Sequence, residues 1–223
     1  MRTVAVLPVK RFNHAKQRLA QSGLSAAWRR ALAEAMVTDV LTALRRAASV
    51  DETIVVTAEP IARQLAEARQ VSVVIDRVEG GQSSAAQLGI ERALAEGAER
   101  VLLVPGDCPM LDPRDIDALL GPDHPGVTIV PDRHGTGTNA LVLLPPDALA
   151  PAFGRDSLSR HRAHAQDAAV PVQVQPIPTL GLDIDTADDL AELEAGLAER
   201  RGGAAYTRGM LAQLTRQAIA GAA

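Results

Sequence analysis

"RVLLVPGDCPMLDPRDIDALL", residues 100–120, decides the architecture. Residues 100–107 open with a continuous apolar run, the pattern of a strand buried on both faces of a sheet. Asp112 and Pro113 then mark a helix start: a carboxylate at the N-cap, and a residue whose missing N–H costs nothing at the first helical position. A buried strand followed directly by a helix is the repeating unit of a parallel sheet. The same unit recurs on both sides of this stretch. Upstream, "TVAVLPV" (3–9), "TIVVTA" (53–58) and "VSVVID" (71–76) read as strands. They alternate with helices over Ser25–Arg46, 60–69 and Ser83–Glu96. Downstream, "GVTIVPD" (126–132) and "NALVLLP" (139–145) flank the glycine turn "RHGTGT" and read as a hairpin. Short helical pieces over 147–167, a strand near 170–176 and a helix capped by Thr186 complete the pattern. The expected fold class is α/β: one domain over 1–200, with a mostly parallel but mixed sheet flanked by helices. Residues 201–223 form a Gly/Ala-rich tail that reads as a loose helix: an appendage, an arm packed on a second subunit, or disordered.

Composition narrows the function classes. The 223 residues are 47% hydrophobic but only 2% aromatic, so the core is built from Ala, Val, Leu and Ile. So few aromatic faces disfavour a base-stacking platform, and no nucleic-acid partner is expected. No segment has the roughly 18 uninterrupted apolar residues of a membrane span. The N-terminal apolar run is too short for a secretory signal. The one cysteine, Cys108, has no internal disulfide partner. A soluble, cytoplasmic protein is expected. Net charge is −4, unevenly spread: residues 1–50 carry nine Lys or Arg against Glu34 and Asp39, a balance of +7, which leaves −11 for the rest. Such asymmetry points to an anionic partner, or to a solvated helix face for Arg29, Arg30, Arg45 and Arg46.

Four features fall at the carboxyl ends of strands, where open α/β sheets bind ligands. After the first strand come Lys10, Arg11, Lys16 and Arg18 with no acid among them. The loop has neither G-x-G-x-x-G nor a Walker glycine pattern, yet its cations suit a polyphosphate. Asp107 stands at the tip of the 100–107 strand, either capping backbone or holding a divalent cation through oxygen. Asp183 and Asp185 alternate with Ile184, so both carboxylates face one side of an extended strand end. Two carboxylates that close call for a cation between them, unless Asp185 simply caps the next helix. Finally, Gly135, Gly137, Thr136, Thr138 and Asn139 line a turn, while Gly154 and Ser157 open a helix whose free N–H groups favour an anion. Arg160, His161 and Arg162 add positive charge there. No nucleophile is evident: Cys108 follows an acid and has no partner histidine.

Taken in order, "LPVKRFNHAKQRL", "VPGDCPML", "GTGTNAL", "FGRDSLSRH" and "LDIDTADDL" resemble the guanylyltransferases of coenzyme F420 biosynthesis. These act on phosphoenolpyruvate or 2-phospho-L-lactate and are related to the molybdenum-cofactor guanylyltransferases. The resemblance spans residues 1 to about 200 and implies a GT-A-like (nucleotide-diphospho-sugar transferase) fold. It also implies transfer of GMP from GTP to a phosphorylated three-carbon acid, with Mg2+ as cofactor. In that frame Asp107, Asp183 and Asp185 hold the metal, and Lys10, Lys16 and Arg18 hold the triphosphate beside Pro8 and Ser83. Thr138, Asn139, Gly154 and Ser157 receive the phospho-acid. The chain departs from the family at Gln82-Ser83-Ser84, where relatives carry Leu-Asn at the helix start. A molybdenum-cofactor nucleotidyltransferase and a non-catalytic nucleotide-binding protein stay open as alternatives, as does a homodimer.

Overall fold

A computed structural model of the protein describes residues 1–14, 16–121 and 123–221. Period-two alternation organises its first strand, β1 (Thr3–Val9): Val4 and Val6 face one side of the sheet, Ala5 and Leu7 the other, and all four are fully buried. The remaining strands are β2 (Glu52–Thr57), β3 (Ser72–Ile75), β4 (Arg100–Leu103), β5 (Gly126–Pro131), β6 (Thr138–Leu144) and β7 (Val172–Val174). They form a single sheet in the order β3-β2-β1-β4-β6-β5-β7. Pairing is parallel except where β6 runs antiparallel to β4 and β5, so the mixed sheet and the hairpin over 126–145 are both present.

Helices cover both faces. On one side α1 (Ala26–Arg46), α2 (Pro60–Glu67) and α4 (Pro113–Leu120) pack on Ala5, Leu7, Val55 and Leu102. On the other, α3 (Gln82–Ala95) and α5 (Ser157–Asp167) pack on Val4, Val6, Ile54 and Leu103. Helix α3 lies so close that a Cβ on Gly89 would sit 2.2 Å from Val6 Cγ1, so only glycine fits there. The helix starts signalled in the sequence are realised locally. Ser25 Oγ accepts from Trp28 N (3.3 Å), and Asp112 Oδ1 accepts from Arg114 N (2.9 Å).

After the four-residue helix α6 (Pro178–Gly181), Thr186 and Asp189 form a reciprocal capping box at the start of α7 (Ala187–Glu199). The tail contains α8 (Ala205–Gly221), whose first N–H groups, on Tyr206 and Thr207, donate to the Asp39 carboxylate of α1 (3.1 and 2.8 Å). Leu211 joins Leu32 and Met36 of α1 and Leu193 and Leu197 of α7 in a third apolar cluster. Residues 222–223 of the tail lie outside the described residues.

Three expectations change. The strand expected over 100–107 stops at Leu103; Val104 N still donates to Val6 O (3.0 Å), but Pro105 has no N–H to continue the ladder. Residues 182–185 are extended without being a strand; Ile184 N donates to Asp107 O (3.2 Å) and Asp185 N to Asp189 Oδ2 (2.9 Å). Over 147–167 helix begins only at Ser157. Among the described residues no helix is long and apolar enough to cross a membrane.

Candidate active site

The strand order reverses between β1 and β4: the chain steps from β1 outward to β2 and β3, then returns to place β4 on the other side of β1. Loops leaving two such strands diverge and leave a crevice at their carboxyl ends. Here that crevice is a cleft of about 1420 Å³. Of the residues singled out in the sequence, Pro8, Lys10, Lys16, Arg18, Asp107, Thr138, Asn139, Gly154, Ser157, Asp183 and Asp185 all line it. Ser83 stands apart, with its hydroxyl accepting from Phe153 N (2.8 Å), while the neighbouring Gln82 faces the cleft. Ser83 therefore braces the loop before α5 and is not placed as a nucleotide contact.

The start of the basic loop is anchored twice. Thr57 Oγ1 donates to Val9 O (2.7 Å), and the buried Glu59 carboxylate accepts from Phe12 N (2.9 Å). Further on, Arg11 forks onto Glu79 through Nε and Nη2 at 2.9–3.0 Å. Glu79 belongs to the turn before α3, which Asp76 Oδ1 closes by accepting from Val78 N and Glu79 N (3.2 and 2.9 Å). Lys16 adopts a left-handed backbone (φ 57°) that aims its side chain inward. Its Nζ lies 2.5 Å from Asp107 Oδ2 and 2.9 Å from Asp185 Oδ1. Burial alone would lower this lysine's pKa, but the Asp107 and Asp185 carboxylates outweigh that effect and hold it above the ordinary range.

Opposite the loop stand the carboxylates. Asp183 is largely buried and lies near Asp107, and both effects, burial first, push its pKa up. Asn139 Nδ2 donates to Leu180 O (2.7 Å) and Asp183 Oδ1 (3.3 Å), so its amide nitrogen fixes Asp183 in place. Asp107 Oδ1 is buried and, among the described residues, has no hydrogen-bond partner. A buried carboxylate oxygen without a donor is costly, and a hard cation is the ligand such an oxygen suits. Among the described residues, no three His, Cys, Asp or Glu side chains are drawn together as a finished metal cage. Lys16 instead occupies the space between two of the three carboxylates. The all-oxygen donor set and the orphaned Asp107 oxygen fit a divalent cation. Cys108 is buried, its thiol donates to Leu180 O (3.5 Å), and burial followed by the Asp107 charge raises its pKa well above the usual value, which agrees with a structural thiol.

The far end of the cleft is formed by β6 and the start of α5. Gly154 (φ 115°) accepts from Ser157 N at its carbonyl (3.2 Å), and no side chain caps the helix, since the N-cap residue Asp156 makes no such bond. The first N–H groups of this 11-residue helix are taken up by the loops beside it: Ser157 N donates to Gly154 O and Leu158 N to Thr136 O (3.2 Å each), which ties the helix start to the glycine turn next to Thr138 and corrects the expectation of free N–H groups there. The expected positive charge of His161 is not realised. It is fully buried, its Nε2 accepts from Ala152 N (2.8 Å) and its Nδ1 meets Thr138 Oγ1 (3.0 Å). Burial, then the charges of His164 and Arg160, push its pKa down to about 4, so the ring is neutral. The sequence also passed over Arg133, which lines the cleft and pairs with Asp189 (2.5 Å) and Glu192 of α7. A lone Arg in a glycine turn carries no local signal for partners more than fifty residues away.

Fold and site together define a nucleotidyltransferase. Its architecture matches a Desulfovibrio desulfuricans G20 structure named as a nucleotide-diphospho-sugar transferase, with a TM-score of 0.76 at 18% identity, covering 97% of this chain and 98% of that one. A nucleotidyl transferase from Methanothermobacter thermautotrophicus matches with a TM-score of 0.62 at 21% identity, covering 87% and 97%. At these identities the likeness concerns the fold. The chain belongs to the family described as "Guanylyl transferase CofC like", whose model matches residues 3–214. It is 54% identical to the phosphoenolpyruvate guanylyltransferase of Conexibacter woesei over 97% of this chain and 98% of that one. It is 40% identical to the enzyme of the same name from Sphaerobacter thermophilus, covering 86% and 93%. To the 2-phospho-L-lactate guanylyltransferase of Methanothermobacter thermautotrophicus it is 32% identical, covering 86% and 84%.

Proposed function

We propose that this enzyme moves GMP from GTP to the phosphate of a three-carbon phospho-acid, releasing pyrophosphate, as a step of coenzyme F420 biosynthesis. Phosphoenolpyruvate is the preferred acceptor and 2-phospho-L-lactate the second. The observation that carries this reading is the 54% identity, over nearly the whole of both chains, to a protein named for that reaction.

The site's chemistry supports it. The acceptor phosphate is already an anionic nucleophile, so the reaction needs no general base. One of its oxygens bonds to the α-phosphorus of GTP while the bond to the bridging oxygen of pyrophosphate breaks. Charge neutralisation and in-line alignment are what remain for the protein to supply. Lys10 and Arg18 line the cleft, and among the described residues neither has an ion-pair partner, so both are available to the triphosphate. Lys16 joins them when its carboxylates take another partner. Asp107, Asp183 and Asp185 would hold Mg2+, which when bound neutralises phosphate oxygens and steadies the departing pyrophosphate. Pro8, Gly81, Gln82 and Ala85 form the end of the cleft that would take the guanine. Thr138, Gly154 and Ser157 would receive the phospho-acid's anionic groups.

The test is pyrophosphate release with magnesium and GTP, run in parallel with phosphoenolpyruvate, 2-phospho-L-lactate and 3-phosphoglycerate, with ATP and CTP as controls. Strong release that needs GTP and is highest with phosphoenolpyruvate is expected. Release with CTP, or silence with all three acids, would overturn the assignment and return the molybdenum-cofactor or non-catalytic readings.

A further inference from the structure

His161 is fully buried behind Thr138 of the cleft, and both its ring nitrogens are engaged. Nε2 lies 2.8 Å from the backbone N–H of Ala152, which can only donate. Nε2 must therefore be the acceptor and carry no proton. In a neutral ring the proton is then on Nδ1, 3.0 Å from Thr138 Oγ1. That N–H donates to the threonine oxygen, with the Ser157 carbonyl facing the same ring. A hydroxyl oxygen that is accepting from a nitrogen keeps its own hydrogen for another partner. Thr138 lines the cleft, so its hydrogen is free to be donated there.

The same ring also ties the segment before α5 to β6. Phe153 packs edge-on against it, with centroids 5.3 Å apart at 76°. Phe153 N is bonded to Ser83, and Phe153 O accepts from Arg160 (3.1 Å). Ala152 and Phe153 are thus held directly before Gly154 by His161, Ser83 and Arg160.

We propose that His161 is a positioning residue for the anionic acceptor, acting as the Nδ1–H tautomer. By accepting from Ala152 and donating to Thr138, it sets the Thr138 hydroxyl as a donor into the cleft. It also holds the Gly154–Ser157 turn at the correct distance from it. The proposal rests on the phospho-acid reading for the identity of that anion, and on the hydrogen-bond geometry alone for the tautomer. Preorganised donors favour a bound anion because they need no reorientation when it arrives.

Two measurements test it. In the 15N-histidine-labelled full chain at pH 7, two-bond nitrogen–proton correlations identify each ring's tautomer, and the signal lost in His161→Gln assigns this one. A neutral Nδ1–H ring is expected; an Nε2–H tautomer or an imidazolium would overturn the proposal. In steady-state kinetics, His161→Gln keeps an acceptor for Ala152 but loses the donor to Thr138, whereas His161→Asn keeps a donor near the Nδ1 position. His161→Gln is expected to raise KM for the phospho-acid roughly tenfold with KM for GTP little changed, the size expected for one hydrogen bond to a charged group. His161→Asn should recover part of that loss. In Thr138→Val the effect of His161→Gln should largely vanish, because the hydroxyl it orients is gone. Equal rises in both KM values, or full additivity with Thr138→Val, would mean a merely structural role and overturn the proposal. A wild-type chain inactive with every phospho-acid would sink the reaction assigned above, while the spectrum would still decide the tautomer.

Discussion

Replacing Lys16 with methionine keeps the length of the side chain and removes its charge. The Lys16 side chain is only 6% exposed and faces Asp107 at 2.5 Å and Asp185 at 2.9 Å. At an effective dielectric of about 20, each such pair attracts by roughly 6 kcal/mol before desolvation is counted. Burying the ammonium cancels much of that. Removing one partner of a buried pair has a net cost of about 3–5 kcal/mol, mostly from the stranded partner charge. The Asp185 side chain is 45% exposed and can turn to water, which places the expected loss near the low end, about 3 kcal/mol. Urea unfolding at pH 7 in the presence of a chelator measures it. Magnesium without nucleotide should then restore most of the loss, because a cation can enter among the carboxylates without displacing an ammonium. At about 100 times its dissociation constant it contributes ~2.7 kcal/mol. Wild type should gain much less from the same magnesium. Undiminished stability in Lys16→Met, or a magnesium response no larger than that of wild type, would refute the view that Lys16 stands in a cation's place.

Three further outcomes are expected. Asp107→Ala and Asp185→Ala should each abolish pyrophosphate release while leaving the far-UV circular dichroism unchanged; near-normal release from either would remove the metal assignment. Gly89→Ala places a methyl group 2.2 Å from Val6 Cγ1 and 3.1 Å from Val56 Cγ2, and overpacking of this kind costs about 2–3 kcal/mol, read as a lower urea midpoint. The third concerns acid. His161 is held at a pKa of about 4 in the folded protein, below the ordinary 6.5, so between those values the unfolded chain binds more protons and stability falls as pH drops. The fall attributable to this ring is at most roughly 3 kcal/mol. It is isolated by comparing wild type with His161→Gln, whose stability should decline less over pH 6.5 to 4. Parallel curves for the two proteins would contradict the neutral, buried ring.

What could be read from the sequence follows from the range of the forces involved. β1, β2, α1 and the caps at Ser25, Asp112 and Thr186 are set by neighbours within four residues, and their boundaries lie within a residue or so of expectation. The hairpin over 126–145 was legible because a glycine turn between two apolar runs is a local signal. The end of β4 was misplaced because apolar character continues through Val104 while hydrogen bonding stops at Pro105. At the site, the types and order of residues were legible, since strand tips in an α/β sheet converge whatever the details. Pairings were not. Nothing near Ser83 announces Phe153 seventy residues on, and nothing near His161 announces Thr138. His161 looked cationic because Arg160 and Arg162 flank it, and in a helix adjacent positions point in different directions.

The charge asymmetry of the sequence is answered in the same terms. The loop after β1 has four cations, and the fold neutralises two of them internally: Arg11 with Glu79, and Lys16 with Asp107 and Asp185. The carboxylates that would hold a cation are the same ones that hold Lys16. Acidic and basic halves of the site therefore do not act independently. Whatever neutralises Asp107 and Asp185 releases Lys16, and whatever anion draws Lys16 away leaves those carboxylates in need of a cation. A nucleoside triphosphate accompanied by a divalent cation satisfies both needs at once, while either alone leaves a buried charge unpaired. The two ligands should accordingly bind with positive coupling, each tightening the other by an equal factor. Lys16→Met should reduce that coupling by removing the group through which the two halves compete.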